Sequence, residues 1–194
     1  AKRYNLPKEK LMPWHYQNRF FQEAPELYPV NLDKYYKGKD LEEITTSFYK
    51  SLGMNVSSIM ENSDLYPKEK KNQHAYCTDI DGYGDIRVLC NITDNEQWMS
   101  TMLHEFGHAV YAMGHDDETV PYLLRDAAHT FTTEAVAMLF ERLSRNPEWM
   151  QKYLGISDQE KEKIKEDCFK SYRLQQLVFS RWTQVVYRFE KEMY

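Results

Sequence analysis

No stretch of this 194-residue sequence is apolar for long. A helix needs roughly 20 consecutive apolar residues to span a bilayer, so no membrane-spanning helix is expected. Positive charge is also in short supply. The chain has 25 Lys and Arg against 30 Asp and Glu, a net charge of −5. That balance argues against nucleic acid or an anionic membrane as the main partner. Cysteine is scarce: Cys77, Cys90 and Cys168 are too few and too scattered for a disulfide framework. Cys77 and Cys90 can face each other if their segments pair as strands, which allows one disulfide. Buried free thiols are the expected state, because cysteine behaves as a small apolar side chain. The first residues, Ala1 to Leu6, lack the apolar core of a signal peptide. The expected location is cytoplasmic, with secreted and periplasmic locations left open. There is no internal repeat and no low-complexity segment, and nothing in the sequence speaks to oligomeric state.

What is present fits one domain, residues 1–194, with a core of its own. Hydrophobic residues make up 42% and charged residues 28%, an ordinary balance for a globular chain. Aromatics reach 14%, with 15 Tyr, which suits clefts as well as core because tyrosine pairs an apolar body with a polar tip.

Up to residue 38 the chain reads as irregular, broken by Pro7, Pro13, Pro25 and Pro29. The bulky groups there, Trp14 to Tyr16 and Phe20-Phe21, read as an arm over a core or as a cleft wall. His15 is an isolated candidate ligand. Asp40 to Leu52 reads as a helix. Asp40 caps it, Leu41, Ile44, Phe48 and Leu52 form its apolar face, and Gly53 sits where a left-handed cap is wanted. A short helix over Val56 to Met60 and a polar loop over Glu61 to Lys71 follow, with Lys68 to Lys71 read as a solvated charge run. Gln73–Ile80 and Asp85–Ile92 alternate around the turn residues Asp81-Gly82-Tyr83-Gly84, a hairpin signal. Helices are then expected from a capping box at Thr93-x-x-Glu96 to Gly114, from Thr132 to Leu143, and from Pro147 to Leu154. A last long one starts at the box Ser157-x-x-Glu160 and runs to the final residue. The chain is thus mainly α with one small antiparallel β-hairpin.

The third of these helices, Glu96 to Gly114, carries His104-Glu105-x-x-His108. Residues i and i+4 lie one turn apart on one helix face, so both imidazoles can aim at one point. Glu105 lies about 100° round from His104, close enough to hold a water beside a metal. Two histidines and a carboxylate base in this spacing are the signature of zinc hydrolases. A match on three fixed positions is rare by chance, and this one falls on helical periodicity: Glu96, Met99, Leu103, Phe106 and Val110 recur at three- and four-residue steps.

A hydrolytic zinc site needs a third protein ligand. The pattern with a third histidine two turns on fails, because Tyr111 and Gly114 stand where it needs Gly and His. Glu134, in the first turn of the next expected helix, fits best, since a helix N-terminus favours a carboxylate. Ala135, Ala137 and Gly107 are small enough to let the two helices approach. Glu118 in a polar loop, Glu141 two turns on and taken to face away, His115 and His129 are the competitors. Zn²⁺ is the implied cofactor. It lowers the pKa of its bound water to about 7, and Glu105 acts as general base on that water. His74 is the candidate oxyanion stabiliser.

His104-Glu105-Phe106-Gly107-His108 followed by Thr133-Glu134-Ala135 resembles the zinc peptidase (gluzincin) clan of angiotensin-converting enzyme, thimet oligopeptidase and oligoendopeptidase F. The resemblance covers about residues 70 to 145. It implies a zincin-type helical domain, part of a larger helical peptidase. It also implies a metallopeptidase of oligopeptidase or peptidyl-dipeptidase type, acting on short peptides. In the converting-enzyme family an edge strand bearing a His-Ala pair binds the substrate as an extra strand. His74-Ala75 occupies the matching place, and Asp85-Ile86-Arg87-Val88 resembles the second strand. Two departures stand out. Clan members complete the site with a His and Tyr well downstream of the Glu ligand, whereas His129 is the last histidine here. Met138 stands where the converting-enzyme branch has Asp. The expectation is therefore a chain truncated at its C-terminus that binds zinc but cleaves peptides poorly alone. The alternatives are an incomplete zinc- or peptide-binding fragment and a carboxypeptidase of the same clan.

Overall fold

The computed structural model describes residues 4–16, 23–25, 27–28, 30–114 and 119–194. Phe20, Phe21, His115 and Glu118 fall outside the described residues. The architecture is mainly helical with a two-stranded antiparallel hairpin. Among the described residues no helix is long and apolar enough to cross a membrane.

Two compact units are present. One comprises Asn31–Lys161 and contains nearly every element that matters for chemistry. Its helices are α1 (Asp33–Tyr36), α2 (Leu41–Ser51), α3 (Ser57–Asn62), α4 (Glu96–Met113), α5 (Thr130–Glu141) and α6 (Pro147–Leu154), with strands β1 (Tyr76–Asp79) and β2 (Ile86–Leu89) between α3 and α4. The other unit comprises Ala1–Val30 with Glu162–Tyr194. It holds most of the long helix α7 (Asp158–Met193) and the 3-10 turns Lys8–Lys10 and Pro13–Tyr16. Within it Met12 N–H donates to His15 Nδ1 at 2.9 Å, and Tyr4 packs edge-on to the His15 ring. His15 is thus used locally.

In the first unit α4 is the centre. It packs on α1, α2, α5 and both strands. Met99, Leu103 and Phe106 of the stripe read from the sequence are fully buried, with Met102 and Ala109 beside them, while Val110 is half-buried. Tyr49 of α2 donates its hydroxyl to the Leu103 carbonyl at 2.6 Å, one residue before the first motif histidine. Phe48 and Tyr49 meet Phe140 of α5 edge-on. Gly107 is the contact point between α4 and α5: a Cβ there would lie 2.8 Å from the Ala137 Cα. Ala137 is buried and Ala135 is exposed, so only the former serves helix approach.

Caps follow sequence chemistry in most places. Asp40 accepts from Glu43 N–H at 3.0 Å, and Gly53 and Gly155 take positive φ at helix ends. Ser157 and Glu160 form the reciprocal box. At α4 the expectation is corrected. Asn95, not Thr93, caps it by accepting from Trp98 N–H at 2.9 Å. The Glu96 carboxylate instead takes two hydrogen bonds from Arg145 and one from Ser144 Oγ, each within 2.8 Å. At α5 the cap is His129, whose Nδ1 accepts from Phe131 N–H.

The hairpin is shorter than its alternating pattern. Tyr76 pairs with Leu89, Cys77 with Val88, Thr78 with Arg87 and Asp79 with Ile86. His74 and Ala75 precede β1. The outer edge of β2 is taken by Asp64 and Leu65, through Asp64 N–H to Val88 O, Cys90 N–H to Asp64 O and Ile92 N–H to Leu65 O. Lys71, read as part of a solvated run, is buried. Its ammonium donates to Asp64 O, Asp64 Oδ1 and Tyr66 O at 2.7–2.9 Å. A buried ammonium requires such acceptors, and this loop supplies them. Cys77 and Cys90 are free thiols out of register with each other, so the optional disulfide is absent.

Candidate metal centre

His104 and His108 lie one turn apart on α4, and their Nε2 atoms are 3.1 Å from each other. Glu134, in the first two turns of α5, places Oε2 3.5 Å from His104 Nε2 and Oε1 3.5 Å from His108 Nε2. Among the described residues these three form the one group of His, Cys, Asp and Glu whose donor atoms converge within 4.8 Å. The spacing can be tested against a metal. Zinc bonds of about 2.0–2.2 Å at tetrahedral angles put ligand atoms about 3.3–3.6 Å apart. The two His–Glu134 separations of 3.5 Å, one to each carboxylate oxygen, fall in that window, and the His–His separation of 3.1 Å is about 0.2 Å below it. Two imidazoles and one carboxylate are also a donor set that zinc takes.

The two histidines are held differently. His104 Nδ1 meets Glu141 Oε2 at 2.6 Å, which turns its Nε2 toward His108 and Glu134. Glu141 was taken from the sequence to face away, and this is corrected by helix phase. Seven residues turn about 700°, within about 20° of two full turns, so Glu134 and Glu141 share one face of α5. Burial pulls the His104 pKa down, but the Glu141 hydrogen bond and the carboxylates of Glu141, Glu105 and Glu134 outweigh it and hold the pKa above the usual histidine value. Burial and the neighbouring charge of His104 keep the pKa of His108 below that value.

Glu105 is buried and lines the cleft beside β1 together with His104 and His108. The Cys77 backbone N–H lies near its carboxylate and favours the ionised form. Burial raises its pKa, helped by Glu134 and Glu141 and opposed by His104 and the Cys77 N–H. A carboxyl tuned upward suits a general base. The Cys77 thiol is pushed up to about 12, first by burial and then by the charges of Glu105 and Asp79, so it is a poor nucleophile.

These groups line a cleft of about 700 Å³. One wall is the segment Ala75 to Ile80, which includes all of β1, and the floor is His104, Glu105 and His108. Tyr122, Arg125 and Asp126 line the end toward the hairpin turn. Among the described residues no ladder partner occupies the outer edge of β1. Ala75 lines the cleft. His74 is exposed, is not among the lining residues, and donates its backbone N–H to Asn72 Oδ1. Two cations near the hairpin are engaged within the fold: Lys71 in its carbonyl cage and Arg87 with Asp85 at 2.6 Å. Of the competing ligands, His129 caps α5 and Glu141 holds His104. Sequence reasoning missed Glu141, Tyr122 and Arg125. The seven-residue step from Glu134 was a usable signal for the first. Nothing local marked the other two.

The sequence model described as Peptidase family M3 matches residues 2–194. The chain belongs to peptidase family M3. The M3 match spans both compact units, and it brings the resemblance read from the motif residues to nearly the whole chain. M3 peptidases are zinc-dependent metallopeptidases, in agreement with the donor set of this M3 chain. No curated protein matches the chain closely enough to extend the comparison.

Proposed function

We propose that the chain carries the zinc-binding and general-base machinery of a peptidase acting on short peptides. His104, His108 and Glu134 hold zinc, and Glu141 orients His104. The observation that supports this most is the convergence of three donors at 3.1–3.5 Å, beside a buried carboxylate and an open strand edge. Zinc, when bound, supplies a Lewis acid that polarises the peptide carbonyl and makes water acidic at neutral pH. Glu105 takes the proton as the water oxygen bonds to the carbonyl carbon. It returns that proton to the nitrogen as the C–N bond breaks. Burial sets the proton affinity of Glu105 above the usual carboxylate value before substrate arrives.

The peptide lies along the outer edge of β1 as an added strand, because that edge offers backbone groups to the cleft. Ala75 leaves room for the peptide backbone at the foot of β1, and the adjoining His74 donates to a substrate carbonyl. The test is turnover of a fluorogenic peptide by the zinc-loaded chain, or by any longer protein that contains it. Glu105→Gln is expected to retain zinc and lose about 10²–10⁴-fold in kcat. His74→Ala is expected to raise KM with zinc content unchanged. Equal kcat in Glu105→Gln and wild type would overturn the proposed base.

A further inference from the structure

The cleft continues past the metal centre to a place where an exposed aromatic ring is held still. Tyr122 lines the cleft and is 55% exposed, yet its ring is pinned on two sides. It stacks on Tyr83 with centroids 5.5 Å apart and planes at 26°. Its edge rests on Gly82, where a Cβ would come within 2.6 Å of Tyr122 Cε2. Arg125 lies over the other partner, its guanidinium carbon 4.6 Å from the Tyr83 centroid, and anchors to Val120 O through Nε at 3.0 Å. An exposed ring normally has rotamer freedom to lose on binding, and this one has been ordered already.

The carboxylates of the hairpin turn are spent within the fold. Asp79 accepts the Gly82 and Gly84 N–H groups, and Asp81 accepts those of Tyr83 and Asp85. The Arg125 cation beside the tyrosine pair disfavours a second cation. Beside the Asp126 carboxylate, the exposed surface at this end is apolar: the Tyr122 ring and Ile80, which is 58% exposed and lines the same end of the cleft. Ile80 stands three residues along the chain from Cys77, the residue whose backbone N–H lies near Glu105. Extended chain rises about 3.3 Å per residue, so this end lies about 10 Å from the base.

We infer that Tyr122 and Ile80 form a subsite selecting an aromatic or aliphatic side chain about three residues from the bond cut. The inference rests on the proposed function, because the register is counted from Glu105 along β1. The test uses two series of short peptides bearing a metal-binding anchor: C-terminal hydroxamates, and N-mercaptoacetyl peptides for the opposite direction. Each series carries Phe, Leu, Ala or Arg at one position from first to fourth. Binding to the zinc-loaded chain is read by calorimetry, with zinc content measured in each variant.

In one series, Phe or Leu at about the third position should bind about tenfold tighter than Ala. The gain should vanish in Tyr122→Ala, persist in Tyr122→Phe, and leave the all-Ala peptide unaffected. Anchors that bind with zinc but show no positional preference overturn the subsite and leave the metal centre standing. A preference for Arg overturns it equally. Anchors that bind the zinc-loaded and zinc-free chains alike overturn the metal reading and the subsite with it.

Discussion

Glu141 shows how one residue changes the reading of its neighbour. The helix spacing of His104 and His108 brings two nitrogens to one side of α4, but an imidazole can present either nitrogen. The 2.6 Å contact from Glu141 to Nδ1 decides the matter for His104. Carboxylates in this position fix ring orientation and raise ligand basicity, and their loss typically costs 10–100-fold in metal affinity. Glu141→Ala is therefore expected to weaken zinc binding about 10- to 100-fold in a chelator competition, with the fold intact by circular dichroism. Unchanged affinity would show that α4 alone orients the ring. That His104 and His108 share one face was legible because a helix converts sequence spacing directly into spatial phase; the approach of Glu134 depends on the packing of α5 against α4. The Glu96 partners, Ser144 and Arg145, lie far along the chain, and no local pattern links them to it.

At the scale of elements, the site depends on how closely α5 approaches α4. Gly107 sits over Ala137, and the backbone there cannot yield like the end of a flexible side chain. Gly107→Ala forces the helices apart. Overpacking of this kind costs about 1–3 kcal/mol, partly offset by the better helix propensity of alanine. The expected result is a lower Tm together with weaker zinc binding, since the displacement carries Glu134 away from the histidines. A variant of unchanged Tm and zinc affinity would mean that α5 is not positioned by this contact. Caps and glycines told several helix boundaries in advance: Asp40, Gly53 and the Ser157 box all stand where they were read. The hairpin was legible as a pair but not in length, because pairing beyond Tyr76 and Leu89 is set by Asp64 and Asn91 contacts from elsewhere. Lys71 was misread for the same reason. Charge in a sequence suggests solvent, and the carbonyls that cage this ammonium become visible only when the loop closes.

At the scale of the whole molecule, family M3 membership and the donor geometry agree, and each was reached independently of the other. Three carboxylates point to an acid response. Asp64 is held below the usual carboxylate range by hydrogen bonds from Lys68 and Lys71, Asp81 by the Tyr83 and Asp85 N–H groups, and Asp85 by Arg87. A carboxylate depressed in the folded state contributes stability that is complete above its unfolded pKa, about 3.9, and disappears as pH falls through the folded value. Thermal stability is thus expected to fall below about pH 4, and less steeply in Asp64→Asn, when Tm is followed against pH in zinc-free buffer. An identical acid slope in that variant would remove Asp64 from the explanation. The central claim is that His104, His108 and Glu134 hold one catalytic zinc. The most direct measurement of it is the metal content of the purified chain and its single variants by mass spectrometry of the metal. The account expects about one zinc per chain, retained in Glu105→Gln and lost in His104→Ala, with Glu134→Ala strongly depleted. Zinc at the same stoichiometry in His104→Ala and Glu134→Ala, or none in the wild-type chain after zinc loading, would contradict it.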